Sequence, residues 1–258
     1  MEFVDVETAK NSSGLRGAFV GGAPSPWGEA AKGFFHIKKI PYVRTRYLPG
    51  GDNKALVEWT GTDSGPAIVY EKEATRSGWA EILLLAERLA PEPRLIPEDS
   101  AQRALLFGLS HEICGEMGFG WSIRNVWVAL ALDPNVEFPM DAGTAQYLGS
   151  KYGYRPGIGP EVRKRTIEVL QLLSQRLKDQ KAKGSKFLLG DSLTALDVYW
   201  ATFAALVAPL PADKCPMAEG LRVAFEAGDP EVNKTVDPAL LAHRDFIYNE
   251  YLVLPMEL

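Results

Sequence analysis

Cysteine and histidine are scarce: the chain has two cysteines, Cys114 and Cys215, and three histidines in 258 residues. Two cysteines cannot make a disulfide framework, so a reducing, cytoplasmic compartment is expected. Nor do they stand at ligand spacing with His36, His111 or His243, so no metal centre is expected. Positive charge is not in excess either: 28 Lys and Arg face 33 Asp and Glu, a net charge of −5. A nucleic-acid partner, which needs a basic face, is therefore not expected. The longest apolar run, Val198 to Leu210, is broken by Thr202 and Pro209 and is too short to cross a bilayer, so no membrane partner is expected. Met1-Glu2-Phe3-Val4-Asp5 lacks the positive-then-apolar order of a signal peptide. There is no internal repeat or low-complexity tract. His243-Arg244-Asp245 shares three letters with a kinase catalytic loop, but the Gly-rich loop, lysine strand and Asp-Phe-Gly that give those letters meaning are missing.

The chain that remains is globular in composition, 46% apolar and 24% charged. After a polar lead-in over 1–14, strands are predicted at 15–20, at 42–48 from the period-two pattern Tyr42-Val43-Arg44-Thr45-Arg46-Tyr47, and at 67–71 after Pro66. Between them lie a helix over about 26–39 and a short helical or irregular link near 54–59. A helix follows over 77–89, with Ile82, Leu85, Ala86 and Leu89 on one face. Strands interleaved with helices make a mixed sheet covered by helices. Pro91-Glu92-Pro93-Arg94-Leu95-Ile96-Pro97 then interrupts the pattern, since three prolines in seven residues cannot continue a helix. Beyond it the periodicity is helical: 100–117, 121–132, 159–183 with Ile167, Leu170, Leu173 and Leu177 on a face, and about 238–251. The expected organisation is an α/β domain over 1–92 and an all-helical domain over 98–258.

Three motifs carry the functional signal. Ser25-Pro26-Trp27-Gly28-Glu29 follows the first strand and opens the first long helix, where unpaired N–H groups and the positive dipole end favour an anion. Ser64-Gly65-Pro66 precedes the third strand. Gly190-Asp191-Ser192-Leu193-Thr194-Ala195-Leu196-Asp197 puts Thr194 and Asp197 at capping-box spacing before an apolar helix. In this order the motifs resemble the glutathione transferase family, over about residues 15 to 210. Leu196 stands where the family usually has Ala. The resemblance implies a thioredoxin-like N-terminal domain, an all-α C-terminal domain, a homodimer, and glutathione as co-substrate.

It also implies roles. Ser25 falls where serine-type members keep the hydroxyl that hydrogen-bonds the glutathione sulfur; helix capping is a compatible second role. A thiol of pKa about 8.5 needs such a donor to be thiolate at neutral pH. Pro66 matches the family's cis-proline, and Gly65 would pair its backbone with the cysteinyl part of glutathione. The acid and serine that hold the glutamyl end match poorly: Thr75-Arg76-Ser77-Gly78-Trp79-Ala80 offers Ser77 and Gly78, or Arg76 and Ser77, and either alignment loses the acid. Trp121 is the candidate contact to a small hydrophobic electrophile; Met117, Phe119, Trp127 and Cys114 are expected in the core. The implied reaction is thiolate attack on that electrophile. Glutathione-dependent ether cleavage or isomerisation, or a non-catalytic binding or assembly module, are the alternatives.

Overall fold

The computed structural model describes residues 2–258. Three strands, β1 (Leu15–Val20), β2 (Tyr42–Tyr47) and β3 (Ala67–Tyr70), form a sheet of order β2-β1-β3. β1 runs parallel to β2 with Leu15 opposite Tyr42, and antiparallel to β3 with Leu15 opposite Tyr70. Its Arg16, Ala18 and Phe19 are all buried, so both faces of this central strand are covered. Past β3 the chain turns back, and Arg76 exchanges two backbone hydrogen bonds of 2.8 Å with Ile68. That single bridge is all that extends the sheet on this side.

The helices are α1 (Val6–Asn11), α2 (Pro26–Ile37), α3 (Lys54–Thr60), α4 (Trp79–Leu89), α5 (Ser100–Cys114), α6 (Phe119–Ala131), α7 (Ala142–Lys151), α8 (Gly159–Ala182), α9 (Ala195–Phe203), α10 (Glu219–Ala227), α11 (Pro230–Asn233) and α12 (Pro238–Tyr251). The fold is a thioredoxin-like N-terminal part joined to an all-helical C-terminal part. α2 packs against α9, so the two parts share apolar packing. Phe34 meets Tyr199 edge-on at 5.2 Å, and the Tyr199 hydroxyl donates to the Trp79 carbonyl at 3.0 Å.

Several boundaries differ from the sequence expectation for local reasons. The lead-in contains α1 because Asp5 caps it, accepting from the Thr8 N–H at 2.8 Å. α5 stops at Cys114, not at 117, and Gly118 restarts the chain as the cap of α6. Met117 therefore sits in the turn at φ 61°, 49% exposed, and not in the core. Phe119, Trp127 and Cys114 are buried as expected. α7 carries little apolar periodicity, with only Ala145 and Gly149 buried, and α10 is amphipathic but only nine residues long, with only Ala224 and Phe225 buried. The capping box at α9 is present: the Asp197 carboxylate accepts the Thr194 N–H at 2.9 Å.

Candidate functional site

The start of α2 is set by its sequence. Gly22, at φ 76°, turns the chain after β1, and Pro26 occupies the first helical position, where no N–H is needed. Ser25 is the cap residue in extended conformation, and its carbonyl accepts the first helical bond from Glu29 at 2.8 Å. Its side chain makes no capping bond. The hydroxyl is therefore unengaged beside the N–H groups of Trp27 and Gly28, which precede the first intrahelical donor, the Glu29 N–H. Trp27 fixes this helix start against the helical part: its indole N–H donates to the Cys114 carbonyl at 3.0 Å, and its ring meets Phe203 edge-on at 4.8 Å.

Gly65 lines the same cavity as Ser25, of about 390 Å³. The Gly65–Pro66 peptide is cis, as the resemblance implies. No hydrogen bond among the described residues engages the Gly65 backbone. A side chain is excluded there, because a Cβ would stand 2.8 Å from the Tyr47 ring. Tyr47 in turn shares a 2.8 Å hydrogen bond with the Tyr147 hydroxyl, which links β2 to α7.

The opposite wall is helical. α6 contributes Arg124 and Trp127, α7 contributes Tyr147, Leu148 and Lys151, and α10 closes the cavity with Leu221 and Phe225. Arg124 is 8% exposed and lies over the rings of Trp27, at 4.7 Å, and Tyr152, at 5.1 Å. One of its N–H groups donates to the Gly120 carbonyl at 3.0 Å. The Lys151 ammonium lies 3.2 Å from the Ser64 hydroxyl and 5.2 Å from the centre of the Tyr47 ring. Burial holds the Lys151 ammonium below the usual lysine range, and nearby Arg124 adds to this. Burial also disfavours the Arg124 cation. The Tyr47 and Tyr147 phenols are pushed up, burial being the main cause for each, so both remain neutral hydroxyls at physiological pH.

Of the sequence-derived site residues, Ser25 and Gly65 line this cavity, with Pro66 buried directly behind Gly65. Arg76, Ser77 and Gly78 do not line it. The Arg76 guanidinium is held by Glu73 at 2.7 Å, and Arg88 grips the same carboxylate at 2.6 Å. Ser77 is exposed, and Gly78 is the cap of α4, its N–H meeting the Glu81 carboxylate at 3.3 Å. Trp121 stands behind the wall, edge-on to Tyr152 at 5.2 Å. Arg124, Tyr147, Tyr152 and Lys151 were missed. A signal existed for Arg124, a lone charge inside the apolar run Phe119-Gly120-Trp121-Ser122-Ile123-Arg124-Asn125-Val126-Trp127. Cys114 offers no alternative thiol, since burial pushes it well above the usual cysteine range. No metal-binding cluster of His, Cys, Asp or Glu exists among the described residues.

No protein-family model matches the chain, and no curated protein matches it by sequence. Its similarity lies in three dimensions. A glutathione S-transferase from Methylobacterium radiotolerans, in complex with glutathione sulfonate, superposes with a TM-score of 0.62 at 15% identity, covering 92% of this chain and 91% of that one. One from Methylobacillus flagellatus, with glutathione bound, gives 0.62 at 10% identity over 92% and 95%. Rice glutathione transferase 1, in complex with glutathione, gives 0.61 at 15% identity over 95% and 94%. The chain has the glutathione transferase fold.

Proposed function

We propose that the protein is a glutathione transferase-like enzyme, with Ser25 holding the glutathione sulfur as thiolate for attack on an electrophile bound against the helical wall. The observation that carries this reading is the pairing, in one cavity, of an unengaged hydroxyl at a helix start with an unpaired backbone at Gly65. A donor hydroxyl and a helix N-terminus favour thiolate over thiol. The Gly65 backbone offers the strand-like donor and acceptor that a short peptide requires. In the reaction the sulfur lone pair forms the new carbon–sulfur bond, the leaving group departs with its electrons, and the thiol proton goes to solvent. Residues 1–92 and 98–258 act as two domains in this reading, one supplying the thiol site and the other the co-substrate wall. Cytoplasmic location and assembly as a homodimer belong to the same proposal.

The glutamyl end of glutathione would lie toward Ser77 and Gly78, where the start of α4 attracts a carboxylate. The ammonium of that end has no free acid there: Glu73 is held between Arg76 and Arg88, and Glu81 turns back onto its own helix. This supports weak binding, and it is also what favours the second reading, a non-catalytic module of the same fold. Calorimetric titration with glutathione separates the two. Binding between micromolar and millimolar is expected; none at millimolar ligand would sustain only the module.

A further inference from the structure

Two cations on the helical wall are given no role by the reading above. Arg124 is buried, donates to one carbonyl, and has no carboxylate within ion-pairing distance among the described residues. Lys151, half-buried on α7 and close enough to Arg124 to feel its charge, has none among the described residues either. The acids nearest them do not serve as counter-charges. Asp141 lines the cavity, but its two oxygens take the N–H and hydroxyl of Thr144, at 2.9 and 2.6 Å. Asp63 is exposed, accepts from Asn53 at 2.9 Å, and reaches Lys151 only through space. Buried positive charge without a partner is costly, and a bound anion removes that cost.

Much of the remaining wall is apolar, with Trp127, Met140, Leu148, Leu221 and Phe225. We propose that the cavity takes, as the second substrate, an apolar molecule bearing a carboxylate or sulfonate, its acid group held by Arg124 and Lys151 and its body against Trp127, Met140 and Phe225. That it is a second substrate rests on the glutathione reading above; the anion site itself does not. Arg124 is held face-on by Trp27 and Tyr152, so its orientation is set before any ligand arrives, and the planar guanidinium suits a two-oxygen acid.

The test uses the full-length protein without glutathione and two probes of like shape, 2-naphthoate and the neutral 2-naphthalenemethanol. Naphthoate is expected to bind about tenfold more tightly, the effect of a charge-assisted contact over a neutral one. Lys151→Met and Arg124→Gln should each remove most of that preference, whereas Lys151→Arg should retain it. Lys151 lies on a half-buried helix face, so Lys151→Met keeps the test open if Arg124→Gln does not fold. Equal binding of the two probes to the wild type, no binding of either at millimolar concentration, or a preference that survives in both charge-removing variants would each overturn the proposal. Competitive displacement of naphthoate by glutathione would also overturn it, by giving the two cations to the tripeptide's own carboxylates. Because the probe titration contains no glutathione, a failure of glutathione to bind is seen separately and leaves the anion result standing.

Discussion

Two helices in this protein begin on a hydroxyl residue with extended backbone, Ser25 at φ −69° and Thr194 at φ −125°, and they use it in opposite ways. At α9 the polar groups of the capping residue are engaged. The Thr194 hydroxyl and N–H both donate to the Asp197 carboxylate at 2.9 Å, which also accepts from the Leu188 N–H at 2.7 Å and meets His243 Nε2 at 3.0 Å. All of this is buried, and it ties α9 to α12. At α2 the hydroxyl is left open, and the helix start is stabilised by other means: Pro26 at the first position and Trp27 anchored to Cys114. A capping residue that the fold does not use is available for a ligand. That contrast separates a structural start from a chemical one where local sequence makes them look alike.

The sharpest way to break the comparison is to remove each hydroxyl-bearing start in turn. Ser25→Ala should lower the rate of glutathione conjugation by roughly tenfold to a thousandfold, the range for one well-placed charge-stabilising donor. Its melting temperature should stay that of the wild type, because no capping bond is lost. An unchanged rate in folded protein would remove Ser25 from the chemistry. Asp197→Ala should do the reverse. It leaves four buried groups without their acceptor, which at about 1–3 kcal/mol for each unsatisfied group implies a loss of about 4 kcal/mol or more. Denaturant unfolding should report that loss, while the substrate constants of the fraction still folded remain near wild type. Altered substrate constants at normal stability would show that α9 is not the purely structural member of the pair.

How much of this was legible beforehand follows from how local each signal is. The strands were readable because β1 and β3 are short apolar runs opened by Gly or Pro and β2 alternates with period two after Pro41, and β1 matches its expected limits residue for residue. Ser25 and Gly65 were readable because their setting is made by neighbours in sequence: strand, turn and proline. The cationic wall was not. Lys151 and Tyr147 lie on α7, a helix with two buried residues, and their meaning arises only when α7 is laid against β2 so that Tyr147 reaches Tyr47. Arg76 misled in the opposite direction. It is the cation nearest the glutamyl position in sequence, yet Glu73, three residues away, holds its guanidinium.

Gly65→Ala sharpens the comparison from a second residue of the cavity. The new Cβ would press on Tyr47 at 2.8 Å, and Tyr47 is buried and tied to Tyr147, so the ring cannot move freely. An overpacking cost of about 1–3 kcal/mol is expected, with weaker glutathione binding because the open backbone shifts. Wild-type affinity in calorimetry, together with an unaltered melting temperature, would show that the close approach at Gly65 has no consequence for the site.

A third helix start gives the smallest effect and fixes what full engagement looks like when it is charged and nearer the surface. Asp237 caps α12, accepting from the Ala239 N–H at 2.9 Å, from the Ser174 hydroxyl, and from Lys178 at 2.9 Å. The Ser174 bond is the leading reason its carboxyl is held far below the usual range, with the cap N–H next. A carboxyl whose pKa is depressed by folding adds stability above its unfolded value of about 4, and that stability is lost as pH falls below this value toward the folded one. Asp237→Asn should therefore cost about 1 kcal/mol at pH 7, the scale of one cap and a screened ion pair. The difference from wild type should shrink steadily between about pH 4 and pH 2 in denaturant titrations. A mutant that stays equally destabilised at pH 2 would show that Asp237 acts through hydrogen-bond geometry alone. Ser25→Ala, which removes no ionised group and no capping bond, should leave the same pH profile unchanged, so the two curves measured side by side distinguish a helix start that holds the fold from one that the fold leaves open.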